Sequence, residues 1–229
     1  MRIEQFKWLL FDADETLFRF DAFAGLQRMF TSYNVQFTEA DFQQYQLLNK
    51  PLWAKYQDGE VDAVTLQHQR FTVWADKLAC TTQELNEGFL SAMADICQPL
   101  PGAVELLDAV SPYVSMGIIT NGFTQLQQTR LNKTGLNKYF KHVVVSEEVG
   151  VAKPNIAIFE YARELLGNAS PQEIMMIGDN LVSDIQGGIN AGMKTCWLNH
   201  QNAVNGNINP TFQVNHLAQL QQWLFSPRK

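Results

Sequence analysis

Four short groups of polar residues carry types suited to chemistry on a phosphate. They are Asp12-Ala13-Asp14-Glu15-Thr16, Thr120-Asn121-Gly122, Lys153-Pro154, and Gly178-Asp179 with Asp184 further on. Residues two apart in an extended chain project the same way, so the carboxylates of Asp12 and Asp14 can converge. Crowded with Asp179, they repel unless a cation sits among them. An all-oxygen donor set with few protein ligands suits Mg²⁺, with Mn²⁺ as a substitute. Such an ion keeps waters and takes a further position from a phosphate. The Thr120 hydroxyl, the amides of Asn121 and Gly122, and the Lys153 ammonium can then hold phosphate oxygens. An ionised Asp is a ready nucleophile at neutral pH, whereas Ser needs a base. Phosphoryl transfer demands mainly positioning and charge neutralisation, and this set supplies both.

These groups need elements that bring them together. The apolar runs Trp8–Phe11, Val114–Ile119, His142–Val145, Ile174–Ile177 and Thr195–Leu198 have the length of strands buried on both faces. Helical patterns lie between the later four. Ala103–Val110 pairs Val104, Leu107 and Val110 at helical spacing, and 123–136 ends near Gly135. Ile156–Leu166 follows Asn155 as N-cap, and Val182–Ala191 ends at Gly192. Asn215 is the expected cap of a last helix whose Leu217, Leu220 and Leu224 share a face, and 199–209 is expected to be a loop. Strands alternating with helices predict an α/β fold whose core is a doubly wound parallel, Rossmann-like sheet. Ligands bind such sheets beyond the carboxyl ends of the strands, and the four polar groups follow four of these runs.

The segment from Phe18 to Ile96 has a different texture. It lacks strand-like runs, shows helix starts at Thr38…Asp41 and Thr81…Glu84, and holds eight of the fifteen Phe. It is expected to be a helical cap, residues 18–96, inserted after the first strand of a core formed by residues 1–17 and 97–229. No internal repeat is visible.

Composition bounds the partners. The chain has 229 residues, and with 17% charged residues and a net charge of −6 it is expected to be globular and to bind neither nucleic acid nor an anionic membrane. No stretch approaches the roughly 18 apolar residues of a membrane span, and the start of the chain does not read as a signal peptide. Three Cys without a C-x-x-C suggest neither a disulfide framework nor a zinc site. The expected setting is cytoplasmic. His68, His142, His200 and His216 show no metal-ligand spacing and are expected to be structural or exposed.

The order Asp12-x-Asp14-x-Thr16, Thr120, Lys153, Gly178-Asp179-x₄-Asp184 resembles the four motifs of the haloacid dehalogenase superfamily, over nearly the whole chain. Phe11 to Leu17, Gly25 to Phe30, Ile119 to Phe123 and Ser146 to Pro154 resemble its bacterial pyrimidine 5′-nucleotidase branch. The resemblance implies that Asp12 attacks phosphorus, forming an aspartyl-phosphate, and gives a carboxylate oxygen to Mg²⁺. It makes Asp14 the general acid and then base, with its main-chain carbonyl on the metal. Thr120 and Lys153 would hold the phosphoryl group, Asp179 would ligate Mg²⁺, and Asp184 would support it from behind. The implied substrate is a small phosphate monoester, a nucleoside 5′-monophosphate; phosphoglycolate or a sugar phosphate is the alternative within the superfamily. Many relatives carry Gly where this chain has Glu15. Phe18 and Phe20 are the first candidates to line a nucleoside pocket, and Lys50 and Trp53 the second.

Each motif alone has a structural explanation. A D-x-D after a strand is often a turn, Thr-Asn-Gly is a good turn, and Asp184 could cap a helix. Their joint placement favours chemistry. A metal-free dehalogenase needs neither Asp14 nor Asp179, and a non-enzymatic phosphate sensor needs no nucleophile and acid together. Both are therefore disfavoured.

Overall fold

A computed structural model describes residues 1–227 of the chain. These residues divide into two compact units: 1–19, 98–122 and 131–227 form one, and 20–97 with 123–130 form the other.

The first unit is built on a six-stranded sheet: β1 (Trp8–Phe11), β2 (Ser115–Thr120), β3 (Phe140–Val145), β4 (Ile174–Gly178), β5 (Lys194–Leu198) and β6 (Phe212–Val214). All neighbours run parallel, in the order β3-β2-β1-β4-β5-β6. Both faces are apolar. Leu10, Ile119 and Met176 pack with Ile158, Phe159 and Ala162 of the helix Ile156–Leu165. The alternate residues Leu9, Phe11, Ile118, Met175 and Ile177 point the other way by the pleat and are buried too. This is why the strands read as continuous apolar runs rather than alternating ones. The chain builds outward from β1 through β2 to β3, then returns to place β4 on the other side of β1. The strand order reverses between β1 and β4, and Asp12 and Asp179 follow those two strands.

Local signals explain most helix starts. Asn155 accepts from the Ala157 N–H at 3.0 Å, and Leu217, Leu220 and Leu224 are buried along the last helix as expected. Asn215 does not cap that helix. His216 stands at the cap position without a side-chain bond. The Asn215 amide instead donates to the Asn199 carbonyl at 2.9 Å and to Asn202 Oδ1 at 2.6 Å, tying down the Asn-rich loop. Val104 faces outward, and Ala103, Leu106, Leu107 and Val110 form the buried stripe. The expected helix 182–191 opens as a π-helix over Leu181–Gln186, and only Gly187–Asn190 is α-helical. β6 has only three residues and gives too short a pattern to stand out.

The second unit contains α1 (Ala22–Thr31), α2 (Glu39–Gln57), α3 (Ala63–Gln69), α4 (Thr72–Leu78) and α5 (Thr82–Ile96). Thr38 with Asp41 and Thr81 with Glu84 form the two capping boxes expected from the sequence. Its aromatic residues are largely core: the Phe30 ring lies 4.7 Å from Phe37 and 4.4 Å from Trp74. A Cβ on Gly25 would meet the Met93 sulfur, so glycine there lets α5 place the Met93 side chain directly against α1. Residues 123–130, which the sequence assigns to the sheet unit, cluster here because Phe123 packs on Trp53, ring centroids 5.5 Å apart. No helix of the described residues is long and apolar enough to cross a membrane.

Burial against capping sets an energetic contrast. Phe159 is fully buried, and its ring closes on Gly187, where a Cβ would meet it at 2.6 Å. Phe159→Ala should cost about 3–5 kcal/mol. Thr81→Ala, which removes one exposed cap, should cost about 1 kcal/mol. Denaturant unfolding measures both, and the reverse order of losses would contradict this assignment of the core.

Candidate active site

All the catalytic, phosphate-binding and metal candidates lie in the sheet unit, at or just beyond the carboxyl ends of β1, β2 and β4 or on the segment after β3, whereas the pocket candidates Phe20, Lys50 and Trp53 belong to the helical unit. Register sets their level. Phe11 pairs with Ile177 on one side and Ile118 on the other, so Asp12 emerges level with Gly178 and Ile119. The Asp12 N–H continues the ladder to the Ile177 carbonyl at 2.8 Å.

The centre of the site is the Lys153 ammonium, 1% exposed. It donates to Asp12 Oδ1 at 2.7 Å, to the Ile119 carbonyl at 2.7 Å and to Asp184 Oδ1 at 2.6 Å. An ammonium has three protons, and all three are used. Its backbone is held as firmly. Asn121 Oδ1 accepts from the Lys153 N–H at 2.8 Å, and Asn121 Nδ2 donates to the Lys153 carbonyl at 2.9 Å. Burial disfavours the charged lysine, but the carboxylates of Asp12 and Asp184 outweigh it and raise its pKa above the ordinary value.

Asp184 is fully buried with both oxygens committed. Oδ1 accepts from Lys153 and, at 3.2 Å, from the Ser183 hydroxyl, while Oδ2 accepts from the Asn180 N–H at 3.0 Å. Burial pushes its pKa up to about 6 against the pull of Lys153. The π-helix delivers it there: Asn180 Oδ1 caps the Val182 and Ser183 N–H groups, and the Ile185 N–H reaches the Asn180 carbonyl at 3.3 Å. Gly178 is required for the approach, since a Cβ would run into the Asp184 carboxylate.

Asp179 lies beside this pair. Its Oδ1 accepts from the buried Thr16 hydroxyl at 3.4 Å, and its carbonyl accepts from Trp197 Nε1 at 2.8 Å. Carboxylate oxygens of Asp12, Asp179 and Asp184 all lie within 4.8 Å of one another. One ammonium faces three carboxylates, which leaves excess negative charge. Burial, followed by repulsion from Asp12 and Asp184, pushes the pKa of Asp179 up to about 8. A hard divalent cation is the group this donor set fits, because its charge would offset both the burial of the carboxylate and the repulsion from its neighbours.

Asp14 is half-buried in the turn after β1, bridged to Phe18 through the main chain, and its carboxylate is not part of the three-acid group. Thr120 is buried at the end of β2, and its Oγ1 accepts from the Gly122 N–H at 3.1 Å. The Asn121 side chain serves Lys153 rather than the open side of the site. Phe18 is fully buried, so it lines no nucleoside pocket; it belongs to the core. Glu15 takes a left-handed conformation, φ 53°, which explains why glycine suits this position. Its carbonyl is held by His200 Nε2 at 2.8 Å. Ser183, Asn180, His200 and the clamp by Asn121 have no signal in the sequence: His200 and Asn121 act on main-chain groups far off in the chain, Asn180 caps nearby N–H groups, and Ser183 matters only because its neighbour Asp184 is buried.

Residues 6–192 match the haloacid dehalogenase-like hydrolases, and the chain belongs to that family. More particularly, it is 56% identical to the pyrimidine 5′-nucleotidase YjjG of Escherichia coli (strain K12), over 95% of this chain and 97% of that protein. It is 34% identical to the pyrimidine 5′-nucleotidase PynA of Streptococcus pneumoniae, over 91% of each. Among solved structures, the HAD-hydrolase YfnB of Bacillus subtilis, bound to magnesium, superposes with a TM-score of 0.84 at 30% identity, covering 96% of this chain and 99% of that one.

The Asp179 shift has a measurable consequence. Its pKa is near 8 in the folded chain against 3.8 for an ordinary Asp. Between those values the metal-free folded state holds a proton that the unfolded chain lacks, so this group's contribution to stability falls as pH rises through the window. A bound divalent cation displaces that proton. Mg²⁺ should therefore raise the melting temperature little near about pH 6 and clearly more near about pH 8.5. A Mg²⁺ shift that is flat or larger at the lower pH would refute the arrangement.

Proposed function

We propose that the protein is a Mg²⁺-dependent 5′-nucleotidase that hydrolyses nucleoside 5′-monophosphates, with UMP, dUMP and dTMP as preferred substrates. The observation that carries the phosphatase chemistry is the Lys153 ammonium joining Asp12 and Asp184 beside Asp179. The nucleotide assignment is supported by the 56% identity to a pyrimidine 5′-nucleotidase over nearly the full length of both chains.

Asp12 is the nucleophile. Lys153 fixes its Oδ1, and the second carboxylate oxygen attacks phosphorus. The phosphorus–ester oxygen bond breaks, and Asp14 gives its proton to the leaving nucleoside oxygen. A water then attacks the aspartyl-phosphate, Asp14 takes its proton, and orthophosphate leaves with the Asp12 carboxylate restored. Thr120, Asn121 and Gly122 present the hydroxyl and main-chain N–H groups that hold the phosphoryl oxygens, while Lys153 balances their charge. Mg²⁺ would be held by the carboxylates of Asp12 and Asp179 and the Asp14 carbonyl, with Asp184 behind them, and supplies neutralisation of the phosphoryl charge. The helical unit, residues 18–96 in the sequence reading, is the part proposed to select among phosphate monoesters. The substrate is a small molecule and no nucleic acid or membrane partner is proposed, which the net charge of −6 supports; the proposed setting is cytoplasmic.

Phosphate release from a panel of nucleotides, phosphoglycolate and sugar phosphates tests the reading, with Mg²⁺ and with excess chelator. Release should be strongest on UMP, dUMP or dTMP and vanish with chelator. Asp12→Asn should lower it by about 1,000-fold or more. A peak on phosphoglycolate or a sugar phosphate would reject the nucleotide assignment and keep the chemistry; turnover surviving in Asp12→Asn would reject the nucleophile.

A further inference from the structure

A second buried cation lies wholly within the helical unit. Arg70 is 3% exposed. Its Nη2 donates to Asn86 Oδ1 at 2.5 Å, and its guanidinium carbon lies 5.1 Å from the Phe71 ring, 5.0 Å from Phe89 and 5.1 Å from Phe123. The Asn86 amide passes on to Gln67 Oε1 at 2.8 Å. Tyr45 is the other polar group beside the guanidinium. Among the described residues no Asp or Glu pairs with it. Arg70 Nε has no hydrogen-bond partner at all.

Buried charges are ordinarily paired, because leaving one alone in a poorly polarisable interior is costly. The three rings offset part of that cost through their negative faces, but they provide no acceptor for the N–H groups. Something else should face this guanidinium. Arg70 lines a cavity of about 290 Å³ together with Tyr45, Leu47, Leu48, Val73 and Trp74. Leu47, Leu48 and Val73 are exposed around it, an unusual cluster for a water-facing helix pair. The rim adds Asp41 and Lys77. Asp41 is committed to its capping box, with Oδ2 accepting from Thr38 N and Oγ1 at 2.9 and 2.6 Å, while Lys77 sits over the Trp74 ring at 4.5 Å. Two cations and one occupied carboxylate leave the cavity net positive in a chain of net charge −6.

We propose that this cavity between α2 and α4 binds a small amphipathic organic anion, its charged group paired with Arg70 and its apolar body along Leu47, Leu48, Val73 and Trp74. An apolar pocket with one or two placed charges is the usual form of a small-molecule site. The site is independent of the phosphatase reading, since none of its residues takes part in that chemistry.

Calorimetric titration of the full chain with 2-naphthoate tests it, with the neutral 2-naphthamide as control. The acid should bind at one site and the amide at least about tenfold more weakly. Arg70→Met should weaken the acid by a similar factor. Because that variant removes a buried group and can unfold, Leu48→Trp is measured beside it; it fills the mouth of the cavity, leaves Arg70 in place and should weaken binding as much. Asp12→Asn should leave the affinity within about twofold. Equal binding of acid and amide, affinity unchanged by Leu48→Trp, or loss of binding in Asp12→Asn would each overturn the site.

Discussion

The buried Lys153 ammonium is the constraint around which the catalytic unit is arranged. Its three hydrogen bonds reach the residue after β1, the carbonyl of Ile119 near the end of β2, and the acid on the π-helix after β4. Through one group, segments distant in sequence are joined at a single point. Because a buried carboxylate beside a buried ammonium is tolerable only with close geometry, each partner needs its own supports. Those supports are visible: Asn121 clamps the Lys153 backbone from both sides, Ser183 and the Asn180 N–H hold Asp184, and the parallel register fixes Asp12. Gly178 has no side chain because Asp184 occupies that space.

The topology explains why the acids meet. A sheet that grows from β1 in one direction and then in the other leaves a crevice where the order reverses, here between β1 and β4. Asp12 and Asp179 follow those strands, and one short π-helix suffices to bring Asp184 alongside. The result is three carboxylates against one ammonium, an imbalance expressed in the raised pKa of Asp179. Negative charge crowded at such a crevice is unfavourable for the isolated chain. It becomes useful when a cation and a phosphoryl group enter, because their charges then complete the balance.

Much of this was legible in the chain. Five of the six strands stand as apolar runs because both sheet faces are buried, and Asn155, Thr38 and Thr81 mark helix starts through side-chain bonds confined to one turn. What escaped depends on long-range contact. Nothing local tells that Asn121 would serve Lys153 or that Asn215 would bind the 199–202 loop instead of capping its own helix. Phe18 looked like a pocket residue because it follows the first motif, yet its main chain bridges Asp14 and Pro99, which draws it into the core. The π-helix reads as an ordinary helix in the sequence because one short stretch of i→i−5 bonds, such as Ile185 N–H to Asn180 and Gly187 N–H to Val182, leaves hardly any trace in apolar spacing.

Two of the buried cations, Lys153 and Arg70, make a useful contrast; Arg130, buried as well, donates to Gln127 Oε1 at 2.9 and 2.6 Å. Lys153 is a compact ammonium with three protons and three acceptors, two of them charged, and its surroundings raise its pKa. Arg70 is a planar guanidinium with five N–H groups, one amide oxygen, a nearby tyrosine and three ring faces, and burial lowers its pKa with no carboxylate to oppose it. The first is a finished structural ion group whose incompleteness lies next door, at Asp179. The second is unfinished itself. Both therefore follow one rule: where a chain keeps charge in its interior without internal compensation, the compensation comes from what it binds. At the catalytic crevice that complement is positive, and at the Arg70 cavity it is negative.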